Sequence, residues 1–203
     1  MISIINYGLG NLGSIKNMFK KIGYETAIVN SPDELENATK IILPGVGAFD
    51  SGMKHLHTGG WIEPLHRKVI IEKTPTLGIC LGMQLMCRSS EEGEMKGLNW
   101  IEAEVKRFVF DDPKLKIPHM GWNYVFDAKQ SNLIVDNADE KRFYFVHSYY
   151  VSSDNEIDVL LKAKYGFEFT AAFEKDNLIG MQFHPEKSHK FGLSILKRFA
   201  TNY

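Results

Sequence analysis

Cysteine is nearly absent: the 203 residues contain two, Cys80 and Cys87. Seven residues apart on what reads as one helix, they stand about 10 Å apart along its axis, and a disulfide tolerates roughly 7 Å between Cα atoms. A disulfide-stapled scaffold is excluded, and a reduced chain is expected. No apolar run approaches the roughly 20 residues that cross a bilayer. The N-terminus enters strand-like Ile2-Ser3-Ile4-Ile5 with no signal-peptide pattern, so a cytoplasmic location without membrane contact is the expectation. Charge of one sign is missing too: 24 Lys and Arg against 25 Asp and Glu leave a net charge of −1. The basic residues are dispersed, which argues against a nucleic-acid partner. Repeats, low-complexity tracts and linkers are absent, so residues 1–203 are expected to form one domain.

With 44% hydrophobic residues, the chain can bury a sizeable core. Apolar runs predict strands over 2–6, 26–29, 40–43 and 76–79. Between them lie a helix over 12–22, ended by Gly23, a helix opened by Ser31-Pro32-Asp33-Glu34, and helices over 49–57 and 61–72. Such alternation implies a mostly parallel sheet covered by helices on both faces, an α/β architecture with its site at the carboxyl ends of the strands. After Gly97 the pattern changes to strands over 100–110, 122–126, 142–151, 159–163, 170–174 and 178–183, read as an antiparallel extension on the sheet's edge. A helix over 192–200 closes the chain.

The stretch Pro75-Thr76-Leu77-Gly78-Ile79-Cys80-Leu81-Gly82-Met83-Gln84 leads from a strand into a helix through a Gly-x-Cys-x-Gly corner. This is the layout of a nucleophile elbow, with the glycines expected to permit its strained backbone. The following helix would turn free N–H groups toward the sulfur, an environment that favours thiolate. Far along the chain, Met181-Gln182-Phe183-His184-Pro185-Glu186 offers a base and a carboxylate. On extended backbone His184 and Glu186 share one face, as imidazole and orienting carboxylate must.

One rival pattern stands at the N-terminus. Gly8-Leu9-Gly10-Asn11-Leu12-Gly13 matches the dinucleotide fingerprint of an oxidoreductase, with Asp33 about 20 residues on. The carboxylate should end the second strand, whereas Asp33 falls inside the next helix. His119 and His147 could be imagined as metal ligands with His184, but no paired ligand spacing supports this, and no metal or cofactor is expected.

Gly78-Ile79-Cys80-Leu81-Gly82-Met83-Gln84 together with Phe183-His184-Pro185-Glu186 resembles the class I, triad-type glutamine amidotransferases. Leu43-Pro44-Gly45-Val46-Gly47-Ala48-Phe49, Pro118-His119-Met120-Gly121-Trp122-Asn123, Phe145-Val146-His147-Ser148-Tyr149 and His184-Pro185-Glu186-Lys187-Ser188 look, more narrowly, like the glutaminase subunits of imidazole glycerol phosphate synthases. The resemblance covers nearly the whole chain in order. It implies hydrolysis of L-glutamine by Cys80, His184 and Glu186. Oxyanion donors are expected at the Leu81 N–H, just after the nucleophile, and at the Val46 N–H. By resemblance Gly47, Gln84, Glu92 and the Ser148-Tyr149 segment contact glutamine, while Asn11, Trp122 and Lys187 meet a partner.

The implied partner is a (β/α)8-barrel cyclase forming a heterodimer and receiving ammonia, for histidine biosynthesis. Coupling between subunits would leave the isolated chain nearly inactive. One departure bears on the partner: family members usually carry Pro-Gly in the strand that here reads Asn99-Trp100-Ile101-Glu102-Ala103-Glu104-Val105. Paralogues that feed amidotransferases of surface-sugar biosynthesis are the alternative. A non-catalytic regulatory subunit is the non-enzyme alternative, disfavoured by the intact Cys80, His184 and Glu186.

Overall fold

The computed structural model describes residues 1–134 and 140–203. The first half alternates strands and helices: β1 (Ile2–Ile5), α1 (Leu12–Lys21), β2 (Thr26–Val29), β3 (Lys40–Leu43), α2 (Phe49–Thr58), α3 (Ile62–His66), β4 (Thr76–Ile79) and α4 (Leu81–Leu85). The second half is strand-rich: β5 (Ser89–Ser90), β6 (Ala103–Arg107), β7 (His119–Asp127), β8 (Arg142–His147), β9 (Tyr149–Ser153), β10 (Val159–Tyr165), β11 (Phe167–Lys175) and β12 (Leu178–Met181), closed by α5 (His189–Asn202).

Successive side chains of the apolar strands go to opposite faces, so each strand feeds two cores. Ile4, Ile42 and Leu77 pack with Ile15 and Phe19 of α1 and Leu196 and Phe199 of α5. Ile5, Ile41 and Leu43 pack on the other side with Phe49 and Met53 of α2 and Leu81 and Leu85 of α4. The main sheet path runs β2-β1-β3-β4-β12-β11-β10-β7-β8.

The expected edge extension takes a different form at one strand. β12 lies beside β4 and parallel to it, Leu178 opposite Thr76 and Met181 opposite Ile79, while its other side pairs antiparallel with β11. The last strand is thus central and joins the parallel and antiparallel halves. It also brings the chain that leads to His184 alongside the chain that leads to Cys80.

Several local expectations shift. The helix after Cys80 stops at Leu85, and Cys87 lies beyond it, buried and free. The 61–72 helix is α for one turn and then π over Arg67–Ile71, and the Ser31-Pro32 start opens a 3-10 helix over Pro32–Asn37. The strand expected over 142–151 breaks at Ser148 into β8 and β9.

Two of the three glycines of the N-terminal fingerprint, Gly8 and Gly10, are explained by packing. A Cβ on Gly8 would stand 2.7 Å from His55 Nδ1, and one on Gly10 would stand 3.0 Å from the Pro44 side chain. α2 and the turn after β3 thus crowd these two positions.

Candidate active site

β4 ends at Ile79, and Cys80 turns the chain into α4 with φ 54° and ψ −110°. For a residue with a side chain this conformation costs on the order of 1–3 kcal/mol and must be held by its surroundings. The Cys80 N–H donates to the Met181 carbonyl at 2.7 Å, tying the corner to the end of β12. The flanking glycines serve a purpose other than the one expected. The positive φ belongs to Cys80 itself, and Gly82 provides clearance, since a Cβ there would lie 1.8 Å from the Leu43 carbonyl oxygen.

His184 follows β12. Its N–H donates to the Tyr144 carbonyl at 2.9 Å. The buried Ser188 hydroxyl donates to the His184 carbonyl at 2.6 Å and accepts from the Tyr144 N–H at 3.0 Å, which pins the loop to β8. The extended backbone expected for 184–186 is absent: Pro185–Lys187 is a 3-10 turn. That turn curls Glu186 back, and its Oε1 meets His184 Nδ1 at 2.8 Å with side chains 2% and 3% exposed. The pairing therefore exists by a tighter route than alternation along a strand.

Burial alone would lower the His184 pKa, but contact with Cys80 and Glu186 more than reverses it and holds the imidazole at about 9. Nε2 makes no hydrogen bond, and Cys80 lines the same cavity and contributes to the raised pKa. An imidazole oriented through Nδ1 and open at Nε2 toward a thiol can take and return a proton.

A cavity of about 500 Å³ opens over this group, lined by Cys80, His184, Val46, Gly47, Leu81, Gln84, Glu92, Ser148, Tyr149 and Lys187. Every expected glutamine or oxyanion residue borders it. As the first residue of α4, Leu81 has an N–H with no intrahelical acceptor. Gly47, at φ 108°, turns the opposing loop. Gln84 lies one turn after Cys80 and is buried, its Nε2 donating to Gln182 Oε1 at 3.0 Å and to the Tyr149 carbonyl at 3.3 Å. Glu92 accepts from the Phe49 N–H at 2.8 Å. Its carboxylate caps α2 as well as facing the cavity.

The residues expected to meet a partner divide. Trp122 is 45% exposed and shares a second cleft with Lys187, Arg142, Lys21 and the wall of Glu186. Asn11 is exposed at the N-terminus of α1, where its side chain accepts from the Ser14 N–H, and it does not border that cleft. Sequence reading missed the rest of the surface: Met120, Tyr124 and Phe126 are exposed in alternation with Trp122 along β7. A period-two stripe of large apolar residues, visible as Met120-x-Trp122-x-Tyr124-x-Phe126, was the available signal, and exposed apolar surface of this kind marks contact surfaces. A separate apolar pocket of about 210 Å³, between Phe143, Leu161 and α5, is lined by no cysteine or histidine among the described residues.

His119 and His147 are buried, and His119 Nδ1 lies 2.9 Å from His147 Nε2. Among the described residues no cluster of three or more His, Cys, Asp or Glu could hold a metal ion. His147 Nδ1 lies 2.7 Å from the Tyr149 carbonyl and must carry the proton, so His147 Nε2 accepts from His119. Burial lowers His119 to about 4 and His147 to about 3. In the unfolded chain both protonate near 6.5, so they stabilise the fold above that pH and lose this contribution as pH falls toward 4 and 3. His184, raised to about 9, acts in the opposite sense: its contribution is full below 6.5 and lost as pH rises through 9. Thermal melts should therefore give the highest Tm near neutrality. A fall of about 5 °C or more is expected by pH 4.5, and a His147→Asn variant should show a shallower acid limb.

A family model described as glutamine amidotransferase class-I matches residues 3–202. The imidazole glycerol phosphate synthase subunit HisH 2 of Methanococcus maripaludis is 54% identical over 199 residues, covering 98% of each chain. A protein of the same name from Pseudomonas aeruginosa is 46% identical over 199 residues, again 98% of each. A solved structure described as a glutamine amidotransferase aligns with a TM-score of 0.75 at 19% identity, covering 98% of this chain and 99% of its own. At that identity the likeness concerns the fold.

Proposed function

Since the chain belongs to the class I glutamine amidotransferases, we propose that it hydrolyses the side-chain amide of L-glutamine and hands the ammonia to the cyclase subunit of an imidazole glycerol phosphate synthase, in histidine biosynthesis. The observation that carries this reading is His184, held by Glu186 at 2.8 Å and lining one cavity with Cys80.

Cys80 sulfur, as thiolate, attacks the amide carbon. The carbonyl oxygen takes the negative charge and is met by the Leu81 and Val46 N–H groups; loss of such a donor in comparable sites costs about 3 kcal/mol of barrier. Collapse re-forms the carbonyl and breaks the carbon–nitrogen bond as His184 protonates the leaving nitrogen, which departs as ammonia and leaves a glutamyl thioester. Water, deprotonated by His184, attacks the thioester. The carbon–sulfur bond breaks, glutamate leaves, and thiolate and imidazolium are restored. Glu186 keeps the imidazole oriented and stabilises its protonated form. Gly47, Gln84, Glu92, Ser148 and Tyr149 hold the amino-acid end of the substrate.

Ammonium is no nucleophile, so ammonia is useful only if passed on before it protonates. The exposed Met120-Trp122-Tyr124-Phe126 stripe and the neighbouring Lys187 support docking of a partner beside the cavity. The 54% and 46% identical relatives are named as subunits of an imidazole glycerol phosphate synthase, and the sequence resemblance implies that the partner subunit is a (β/α)8-barrel cyclase. An amidotransferase of surface-sugar biosynthesis is the second reading, favoured by the missing Pro-Gly in 99–105.

Glutamate release by the lone chain, and by the chain with its cyclase and the cyclase's nucleotide substrate, tests this. Stimulation of roughly ten- to hundredfold is expected from a coupling of ordinary size. Equal rates would remove the coupling, and stimulation only by a sugar amidotransferase would transfer the assignment.

A further inference from the structure

Gln182, one residue past β12, is fully buried, and its Nε2 lies 3.8 Å from Cys80 Sγ. The direction of that contact follows from its neighbours. The Tyr149 carbonyl can only accept, so the Gln84 group 3.3 Å from it must be the amide nitrogen. The same nitrogen lies 3.0 Å from Gln182, which must then present its oxygen. The remaining end of Gln182, its NH2, faces the sulfur. An amide whose oxygen and nitrogen are assigned by an acceptor-only carbonyl two links away has one orientation available.

We propose that Gln182 is a catalytic residue of this site: its side-chain N–H donates to the Cys80 sulfur and favours the thiolate, while Gln84 and the Tyr149 carbonyl keep that N–H turned toward it. A donor to the charged form of an acid stabilises that form, and hydrogen bonds to an ionised acceptor are the stronger class. Among the described residues, His184 and Tyr7 are titratable groups in the neighbourhood of Cys80. The Tyr7 hydroxyl is committed to the Pro44 carbonyl at 2.7 Å. His184 must give up its proton to the leaving nitrogen, whereas the amide N–H stays on the sulfur's side throughout the cycle. The same Tyr149 carbonyl accepts from His147, so the support of Gln182 continues into the buried histidine pair.

Naming the residue catalytic rests on the glutaminase reading, so its effect is best read on the sulfur without glutamine. Alkylation of Cys80 by iodoacetamide, quantified by peptide mapping to separate it from Cys87, is followed against pH in the full chain. In Gln182→Met the rate at pH 7 should fall about tenfold and the profile should move to higher pH, as expected for loss of a hydrogen bond to a charged group. Gln84→Met, which frees Gln182 to rotate, should act in the same direction. The double variant should be no slower than Gln182→Met. A Gln182→Met protein with native near-UV circular dichroism and a rate within threefold of wild type overturns the proposal. Should that variant not fold, a Gln84→Met rate within threefold does so. Glutamate release by the wild type is measured separately; its absence would count against the glutaminase reading and leave the alkylation result standing.

Discussion

Cys80→Ala is expected to lower glutamine hydrolysis by at least about 10⁴-fold, measured as glutamate release with the partner present, because Cys80 is the one thiol among the described residues lining the cavity and the group placed to form the acyl intermediate. Alanine keeps a Cβ at φ 54°, so the strained corner remains and the melting temperature should stay within a few degrees. That separates chemistry from folding. The double variant Cys80→Ala/His184→Ala should be no slower than the single one, since a base without its nucleophile has nothing to activate. A residual rate above about one per cent of wild type would remove Cys80 from the role of nucleophile.

The second large effect is structural. Gly82→Ala would put a Cβ 1.8 Å from the Leu43 carbonyl oxygen, at the point where α4 crosses the end of β3. Neither is a flexible side-chain end, so the helix or the strand must move. Overpacking of a rigid site costs roughly 1–3 kcal/mol and occasionally more, and this approach lies at the severe end. A Tm lower by about 6–12 °C, or loss of soluble protein, is expected. Gly13→Ala is the control: it sits inside α1 with nothing within 4 Å of the added carbon, and alanine there should add up to about 1 kcal/mol. Equal behaviour of the two variants would discount the clearance explanation.

The parts of the fold legible in sequence were those whose signal is local. β1, β3 and β4 are short apolar runs, and the structure returns them near the expected bounds. The elbow is compressed into five residues, so Cys80 could be singled out without knowing its neighbours in space. The position of β12 was not legible, because nothing within Leu178–Met181 states that it pairs with Thr76–Ile79; that choice is tertiary. The route by which Glu186 reaches His184 was also hidden, since residues two apart can meet through a strand or through a tight turn. Glu92 offered only an acidic residue near the elbow, and its bond to the Phe49 N–H depends on how α2 is placed. The contact of Gln182 with the sulfur needed three residues from separate segments to be in place.

The central seat of β12 has a consequence for synthesis. A ribosome must reach the end of β12 before the gap beside β4 can be filled, and pairing between Thr76–Ile79 and Leu178–Met181 closes a long loop late. Until then the thiol has neither its base nor its neighbouring strand. Translation products that stop short of β12 are therefore expected to release no ammonia from glutamine.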